Sequence, residues 1–538
     1  MTNWNFRVVA IKADIIGIES NQVHPFQFGE LVNFETDAIG IVLRANSKQA
    51  NVALVSGDSK LIKTGTKCQP SGKVFTIDIY QDYFGNVIDV SGQSLIDQHL
   101  KSKKLATWQA IKPALPMFDR VALSEPLVTG TIAIDGILPI GLGQKQLIVG
   151  DAQTGKSALA MKMVLAQSKT DLKTVYVAIG KKREEIVELY QVFKEHQVAN
   201  QTIILAAASD DHAANKYLAP YVGAAISEYW QHQGEHVLVI FDDLSNHADA
   251  YRQLALLNDQ APGREAYPGD IFYTHSRLLE RCGRFSASAG GGSITMVPIV
   301  QTQDGDISAY IPTNIISITD GQIYTSKTVF NQGRRPAIEI GISVSRLGSQ
   351  VQSPAMKQAS SGLKNLIANY EAQQKRSLIA NDQINPADLN LKTKGTIFQA
   401  IVDQDEFQVI LPQVSALLFF LLNRNDLDGF GFGQDFTIIK EQIQLIKEIL
   451  TNFLTKDLLG QKLATLIATK PIDDQLINRY LEVIVLPLIK YYLLKAHPWL
   501  ANDQNFKDRF GNIRDDKRVF VAYEVQNLPK GMVYEYQK

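Results

Sequence analysis

The sequence predicts three parts in order: a small N-terminal antiparallel β-barrel, a central α/β domain with a mostly parallel sheet, and a C-terminal α-helical domain. Three observations carry this. Short β-rich runs separated by turn residues fill the first ninety or so positions, β runs then alternate with helical segments, and beyond about Ser360 apolar residues recur three and four apart. At 538 residues the chain is long for a single core, and the pattern changes place the parts at 1–93, 94–360 and 361–538.

The barrel is expected from the runs Arg7 to Ile11, Leu31 to Phe34, Ile39 to Leu43, Asn51 to Val55 and Lys73 to Ile79, each bounded by Gly, Asn, Asp or Ser. A polar, lysine-rich stretch from Leu95 to Trp108 reads as a linker. Next come the strand candidates Gln146 to Val149, Thr174 to Ile179, Thr202 to Ala206, His236 to Phe241, Ser293 to Val300 and Ile338 to Val344, with helical segments between them. The helical part is typified by Ile438, Ile439, Ile443, Leu445, Ile446, Ile449, Leu450, Phe453 and Leu454. From Trp499 onward charge mixes with one strand-like run, Val519 to Val525, and the sequence assigns no architecture to this tail.

A formal net charge of -1 argues against a sequence-independent nucleic-acid binder, which carries a basic surplus, and Lys101, Lys103 and Lys104 read as a solvated linker. Two cysteines, Cys68 and Cys282, without a Cys/His cluster suggest neither a disulfide framework nor a structural zinc, and fit a reducing cytosol. No apolar stretch reaches the roughly 20 residues that span a bilayer, and the first residues lack a basic-then-apolar leader. Any membrane association is therefore expected through partners.

Chemistry enters at Gly150-Asp151-Ala152-Gln153-Thr154-Gly155-Lys156-Ser157, which fits the phosphate-binding pattern GxxxxGK[ST] between a predicted strand and a predicted helix. Backbone N–H groups and the helix N-terminus cradle phosphate oxygens, Lys156 reaches the β and γ oxygens, and Ser157 can ligate Mg²⁺. The ligand expected is ATP or ADP with Mg²⁺, on a RecA-like P-loop NTPase domain. Asp242, ending the apolar run Val237 to Phe241 beside Asp243, is the carboxylate expected to hold the magnesium shell. Hydrolysis further needs a group that deprotonates water at the end of the strand after the loop helix, and that strand ends Gly180-Lys181-Lys182-Arg183. A lysine is protonated at neutral pH and cannot serve as that base. Glu184 and Glu185 are read as the start of a helix, where negative charge suits the dipole.

Asp151 to Lys156, Tyr217 to Tyr221, Asp242 to Ser245, Pro262 to Asp270, His275 to Arg281, Tyr310 to Asn314, Ile318 to Gln322 and Ser343 to Ser349 resemble the alpha subunit of F1-type ATP synthases. The resemblance is dense from about Ser124 to Lys357, looser in the barrel and faint in the helical part. It implies an alternating hexamer with a beta-type catalytic subunit around a gamma-type central shaft, in which this chain binds nucleotide without turning it over. Lys181 falls where the beta subunit has its catalytic glutamate and the alpha subunit usually has glutamine. Arg346 matches an arginine that reaches the partner's nucleotide, an arginine finger in trans. Arg335, Pro336 and Gln404 match residues around the adenine, and Gln153 a phosphate-side glutamine.

Departures from the family pattern are Ala152 for an arginine, Gln301 for a glutamate near the magnesium waters, and Glu339 for Asn or Asp. The barrel begins almost at Met1, without the helix that holds a peripheral stalk, and the helical part runs on past the usual end, offering surface for an additional protein. Together these are similar to divergent F1-like ATPases of wall-less bacteria, some tied to membrane-bound or gliding machinery. A cytoplasmic location, peripheral to the membrane through partners, follows from the resemblance. Two other functions compete: a subunit of a standard proton-translocating synthase, and a self-sufficient homohexameric secretion or RNA translocase. The last needs its own catalytic carboxylate and a basic or aromatic RNA platform, neither of which the chain displays.

Overall fold

In the computed structural model, residues 4–20, 23–96, 102–377, 386–428, 436–511, 513, 520–521 and 533–534 are described. They belong to two units, one of residues 1–123, 142–160 and 167–322, the other of residues 124–141, 161–166 and 323–538. The chain carries the expected N-terminal barrel, which has six strands, and the expected central α/β domain and C-terminal helical region.

In the first unit, β1 (Phe6–Lys12), β2 (Ile15–Glu19), β3 (Glu30–Phe34), β4 (Ile39–Ala45), β5 (Gln49–Ser56) and β6 (Lys67–Val74) close into a barrel of order β1-β2-β5-β4-β3-β6. Alternate residues point inward, so Phe6, Val8, Ile16, Ile18, Val32, Phe34, Val52, Leu54 and Cys68 fill one core. Strand β2 escaped the sequence reading because Gly17 interrupts its apolar run. The run Lys73 to Ile79 is divided between β6 and β7 (Thr76–Tyr80).

After β8 (Val87–Ile88), the stretch read as a linker contains β9 (Lys104–Gln109), which pairs antiparallel with β7; residues 97–101 lie outside the described residues. The physical reason is Trp108: its indole donates to Glu228 at 3.1 Å and its ring lies 4.7 Å from the Lys112 ammonium. Polar composition masked a strand fixed by one aromatic anchor.

In the second unit, β10 (Pro126–Leu127) pairs with β11 (Ile140–Gly141), and α1 (Ile132–Ile137) lies between them in sequence. The first unit's sheet is then built from β12 (Leu147–Asp151), β13 (Lys173–Lys181), β14 (Thr202–Ala208), β15 (His236–Asp242) and later β17. Helices α2 (Lys156–Leu165), α3 (Arg183–Glu195), α4 (Ala213–His232), α5 (Leu244–Leu257) and α6 (Ile271–Leu279) alternate with them. A short β16 (Gly283–Arg284) precedes β17 (Ser293–Thr302), and the parallel order is β12-β17-β15-β13-β14-β8. Strands β13, β14 and β15 are buried on both faces, as their near-continuous Val, Ile, Leu and Ala runs require of a covered parallel sheet. All the strands leading to the phosphate loop and to Asp242 end at one edge, where open α/β sheets bind ligands.

Beyond α7 (Tyr310–Ile318), β18 (Gly321–Thr325) and α8 (Lys327–Asn331), the expected strand Ile338 to Val344 is corrected. Ile338 makes an isolated bridge to Thr325, and only β19 (Val344–Ser345) is extended further on. Pro336 lacks a donor and Gly341 lies in a turn, so the apolar alternation there does not propagate a ladder.

The helical region of the second unit comprises α9 (Pro354–Ala359), α10 (Leu363–Ser377), α11 (Pro386–Val402), α12 (Pro412–Asn423), α13 (Phe436–Lys456), α14 (Leu458–Thr469), α15 (Asp474–Tyr480), α16 (Leu486–Ala496) and α17 (Gln504–Phe510). The α13 periodicity buries Ile439, Ile443, Ile446, Ile449, Leu450, Phe453 and Leu454, while Ile438 and Leu445 flank that stripe. Pro487 has no N–H and crowds the carbonyl one turn back, and the chain passes from α15 to α16 through one π turn, Leu481–Val485. Of the run Val519 to Val525, only Phe520–Val521 is described, paired with Val533–Tyr534.

At the α13–α14 junction a Cβ on Gly460 would meet the Phe453 carbonyl oxygen at 2.0 Å. Backbone cannot yield as a side-chain tip can, so Gly460→Ala is expected to destabilise this region by about 1–3 kcal/mol, read as an earlier urea midpoint with an unchanged helical baseline.

Candidate functional site

The first unit assembles the phosphate-side residues at the C-terminal edge of its sheet. Gly150 and Asp151 end β12 opposite Gln301 and Thr302 of β17. Asp151 Oδ1 accepts from the Thr302 hydroxyl at 2.6 Å and from the Gly305 N–H at 2.7 Å, pinning the start of the loop. Gln153 and Gly155 have φ of 60° and 85°, and successive turns of this hand aim N–H groups into one anion-binding concavity. A Cβ at Gly155 would meet no protein atom within 4 Å, so the backbone conformation there, and not crowding, calls for glycine.

Thr154 Oγ1 and Lys156 Nζ both donate to the Asp151 carbonyl, the first at 2.8 Å, which folds the loop on itself. Burial lowers the pKa of Lys156, and Asp243 and Asp242 oppose that shift. Ser157 follows in the first turn of α2.

Asp242 ends β15, and Lys181 ends the neighbouring β13, with Ala178 in register with Asp242. Lys181 Nζ lies 2.9 Å from Asp242 Oδ1 and donates to Ser157 Oγ at 3.3 Å. The other Asp242 oxygen accepts from the Tyr176 hydroxyl at 2.7 Å. Burial alone would lower the Lys181 pKa, but the Asp242 carboxylate outweighs it and raises the value. Tyr176 is held well above the usual phenol range by burial and by Asp242. Asp243 caps α5 through the Asn246 N–H at 2.8 Å, and burial together with Asp242 pushes its pKa up to about 6.

The geometry of Lys181 begins in the backbone. Gly180 has a φ of 68°, and the β13–β14 register slips between Ile179 and Lys181. Such a bulge re-aims the next side chain. A Cβ on Gly180 would also approach Asn246 at 3.0 Å, and Asn246 holds the strand end by donating to the Ile179 carbonyl at 2.9 Å. Glu184 and Glu185 lie exposed in the first turn of α3.

Residues 130–345 match the model of the ATP synthase alpha/beta family, nucleotide-binding domain. The matched span includes the phosphate loop, Lys181, Asp242, Arg335 and Pro336; Arg346 lies just past its end, and Gln404 lies outside it. A nucleotide-binding α/β domain is what both the strand-edge geometry and this match support.

The remaining predicted residues lie in the second unit. Arg335 donates to the Phe330 and Arg334 carbonyls at 2.7 and 2.9 Å, and its guanidinium sits 3.5 Å from the Phe330 ring centroid. Pro336 follows it through a cis peptide. The Gln404 N–H donates to the Arg335 carbonyl at 2.7 Å, so these residues are neighbours. The Gln404 side chain is buried: its oxygen accepts from the Ile132 N–H, and its amide donates to the Gly130 and Gln408 carbonyls. All its main capacities are spent on backbone, which gives it a structural task at this position. Arg346 is exposed and makes no ion pair or hydrogen bond among the described residues. Ser345, before it, donates to the Pro139 carbonyl at 2.6 Å and accepts from the Gly348 N–H, fixing the turn that presents it.

Magnesium is the ion implied for Ser157 and Asp242. Mg–O distances of about 2.0–2.1 Å and an octahedron of oxygens are needed. Here an ammonium already bridges the two donors. With Lys181 in this position the donor set does not fit a divalent ion.

Sequence reasoning did not find Tyr176, Asn246 or Thr302. No local pattern sets any of them apart from its neighbours in the strand or helix, and only the folded register shows its partner.

Proposed function

We propose that this chain is a nucleotide-binding, non-catalytic subunit of an F1-type ATPase, of the alpha type, assembled with a catalytic beta-type subunit around a gamma-type shaft. The observation that carries the reading is Lys181 Nζ bound to Asp242 and Ser157, at the strand end from which a water-activating carboxylate would act. A cation there lowers rather than raises the basicity of nearby water. The loop's N–H groups, Lys156 and the α2 N-terminus bind the phosphates, Arg335 and Pro336 belong to the base end, and Arg346 is offered to the partner's nucleotide.

No helix of the described residues is long and apolar enough to cross a membrane, which suits a subunit held to its site by others. An additional protein partner is assigned to the C-terminal residues past α17, most of which lie outside the described residues.

The test is composition and binding together. The complex purified from its source is expected to contain a related chain with Glu at the position of Lys181. In isolation this chain is expected to bind ATP, with Lys156→Ala weakening the affinity by about 100-fold, or ~2.7 kcal/mol, in an equilibrium titration. A complex made of this chain alone, or unchanged affinity in Lys156→Ala, contradicts the reading.

A further inference from the structure

We propose that Lys181 is a tethered substitute for the divalent cation, so that this phosphate loop takes ATP or ADP as the metal-free nucleotide. The inference rests on reading the loop as a nucleotide site, and adds which form of the ligand it accepts.

In a phosphate-loop site the metal sits between the loop hydroxyl, the carboxylate at the end of a nearby strand and the terminal phosphates. Lys181 Nζ stands between the first two of these: 3.3 Å from Ser157 Oγ and 2.9 Å from Asp242 Oδ1. Such separations suit N–H···O bonds and are far longer than magnesium–oxygen bonds. The opposite oxygen of Asp242 is held by Tyr176, so the carboxylate is oriented toward the ammonium.

The placement is built into the chain. Gly180, at positive φ, and the register slip beside it turn Lys181 off the sheet, while Asn246 clamps the strand end. The stem is largely covered, with 21 % of the Lys181 side chain exposed against 4 % for Asp242. A dication brought to the same oxygens would meet the ammonium at close range and be repelled. Lys156 and Lys181 then supply two fixed positive charges to the phosphates, and no metal has to be recruited. A compact ammonium can donate to phosphate oxygens as it does to Ser157.

The experiment is a calorimetric titration of the full chain with ATP and with ADP, in EDTA and in excess Mg²⁺. Wild-type dissociation constants are expected to agree within about threefold between the two conditions, whereas Lys181→Gln is expected to lose about tenfold or more in EDTA and recover part of it with Mg²⁺. Wild-type binding that requires Mg²⁺, or EDTA binding unchanged by Lys181→Gln, overturns the substitution. Binding in neither condition instead removes the nucleotide reading, and the inference with it. Should the variant not fold, wild-type thermal shifts decide: equal stabilisation by ATP in EDTA and in Mg²⁺ supports the proposal, and stabilisation only with Mg²⁺ refutes it.

Discussion

Arg346→Ala is expected to cut turnover of the assembled complex by about 10³-fold, equivalent to ~4 kcal/mol of transition-state stabilisation, and to leave assembly intact. Charge gathers on the transferring phosphoryl group, and a cation supplied by a neighbouring subunit is most useful there. Arg346 is exposed, unengaged among the described residues, and presented by a turn tied down through Ser345. Because its guanidinium is bonded to none of the described residues, removing it should leave the melting behaviour of the isolated chain unchanged. The pairing of a large rate loss with unaltered stability separates a finger from an ordinary surface arginine. Lys is expected to rescue only part of the rate, since an ammonium cannot reproduce the planar fork. Undiminished turnover in the Arg346→Ala complex would remove the assignment.

The largest stability effect is expected at Glu228. Its carboxylate accepts from Arg281 Nε and Nη2 at 2.7 and 2.8 Å, from Lys112 at 2.8 Å and from the Trp108 indole at 3.1 Å. Arg281 is 1 % exposed, and its remaining nitrogen donates to the Ala110 carbonyl at 2.7 Å. Glu228→Ala leaves a buried guanidinium without its counter-charge, so a loss of about 3–5 kcal/mol is expected in denaturant unfolding. Joining it with Arg281→Met should recover much of that loss, because the cost lies in the stranded charge. A loss in the double variant equal to the sum of both singles would contradict this account.

The pH dependence has a definite sign. Burial tends to raise the Glu228 pKa, but Arg281 and Lys112 outweigh it and hold the carboxyl below the ordinary glutamate value of 4.5. A folded-state value below the unfolded one means that the stabilisation is complete above about pH 4.5 and is lost as pH falls through the folded-state pKa. The gap in stability between wild type and Glu228→Ala should therefore narrow on acidification below that point and stay level above it.

What could be read from the sequence, and what could not, follows from the range of the interactions. The phosphate loop and the apolar strand ending at Asp242 are contiguous patterns, so residue spacing announces them. Barrel strands and the α13 stripe are periodic, and periodicity survives in one dimension. The strand β9 was lost because it starts at the end of the Lys101, Lys103, Lys104 run and carries no clean apolar alternation, while a single ring, Trp108, fixes it through a residue 120 positions away. The failed strand near Ile338 shows the reverse, apolar alternation without a partner ladder. At the site, a lysine and not a carboxylate at the end of β13 was legible as Lys181, but its hold on Ser157 and Asp242 depends on a bulge at Gly180 and on a register that no local pattern encodes.

The most direct measurement is inorganic phosphate release from ATP by the purified chain alone, compared with the complete complex under the same conditions. Release indistinguishable from a protein-free control, with ATP nevertheless bound, is the predicted result. Sustained multiple turnovers by the lone chain, abolished by Lys156→Ala, would contradict the account, since the water would then be activated without a carboxylate at the end of β13.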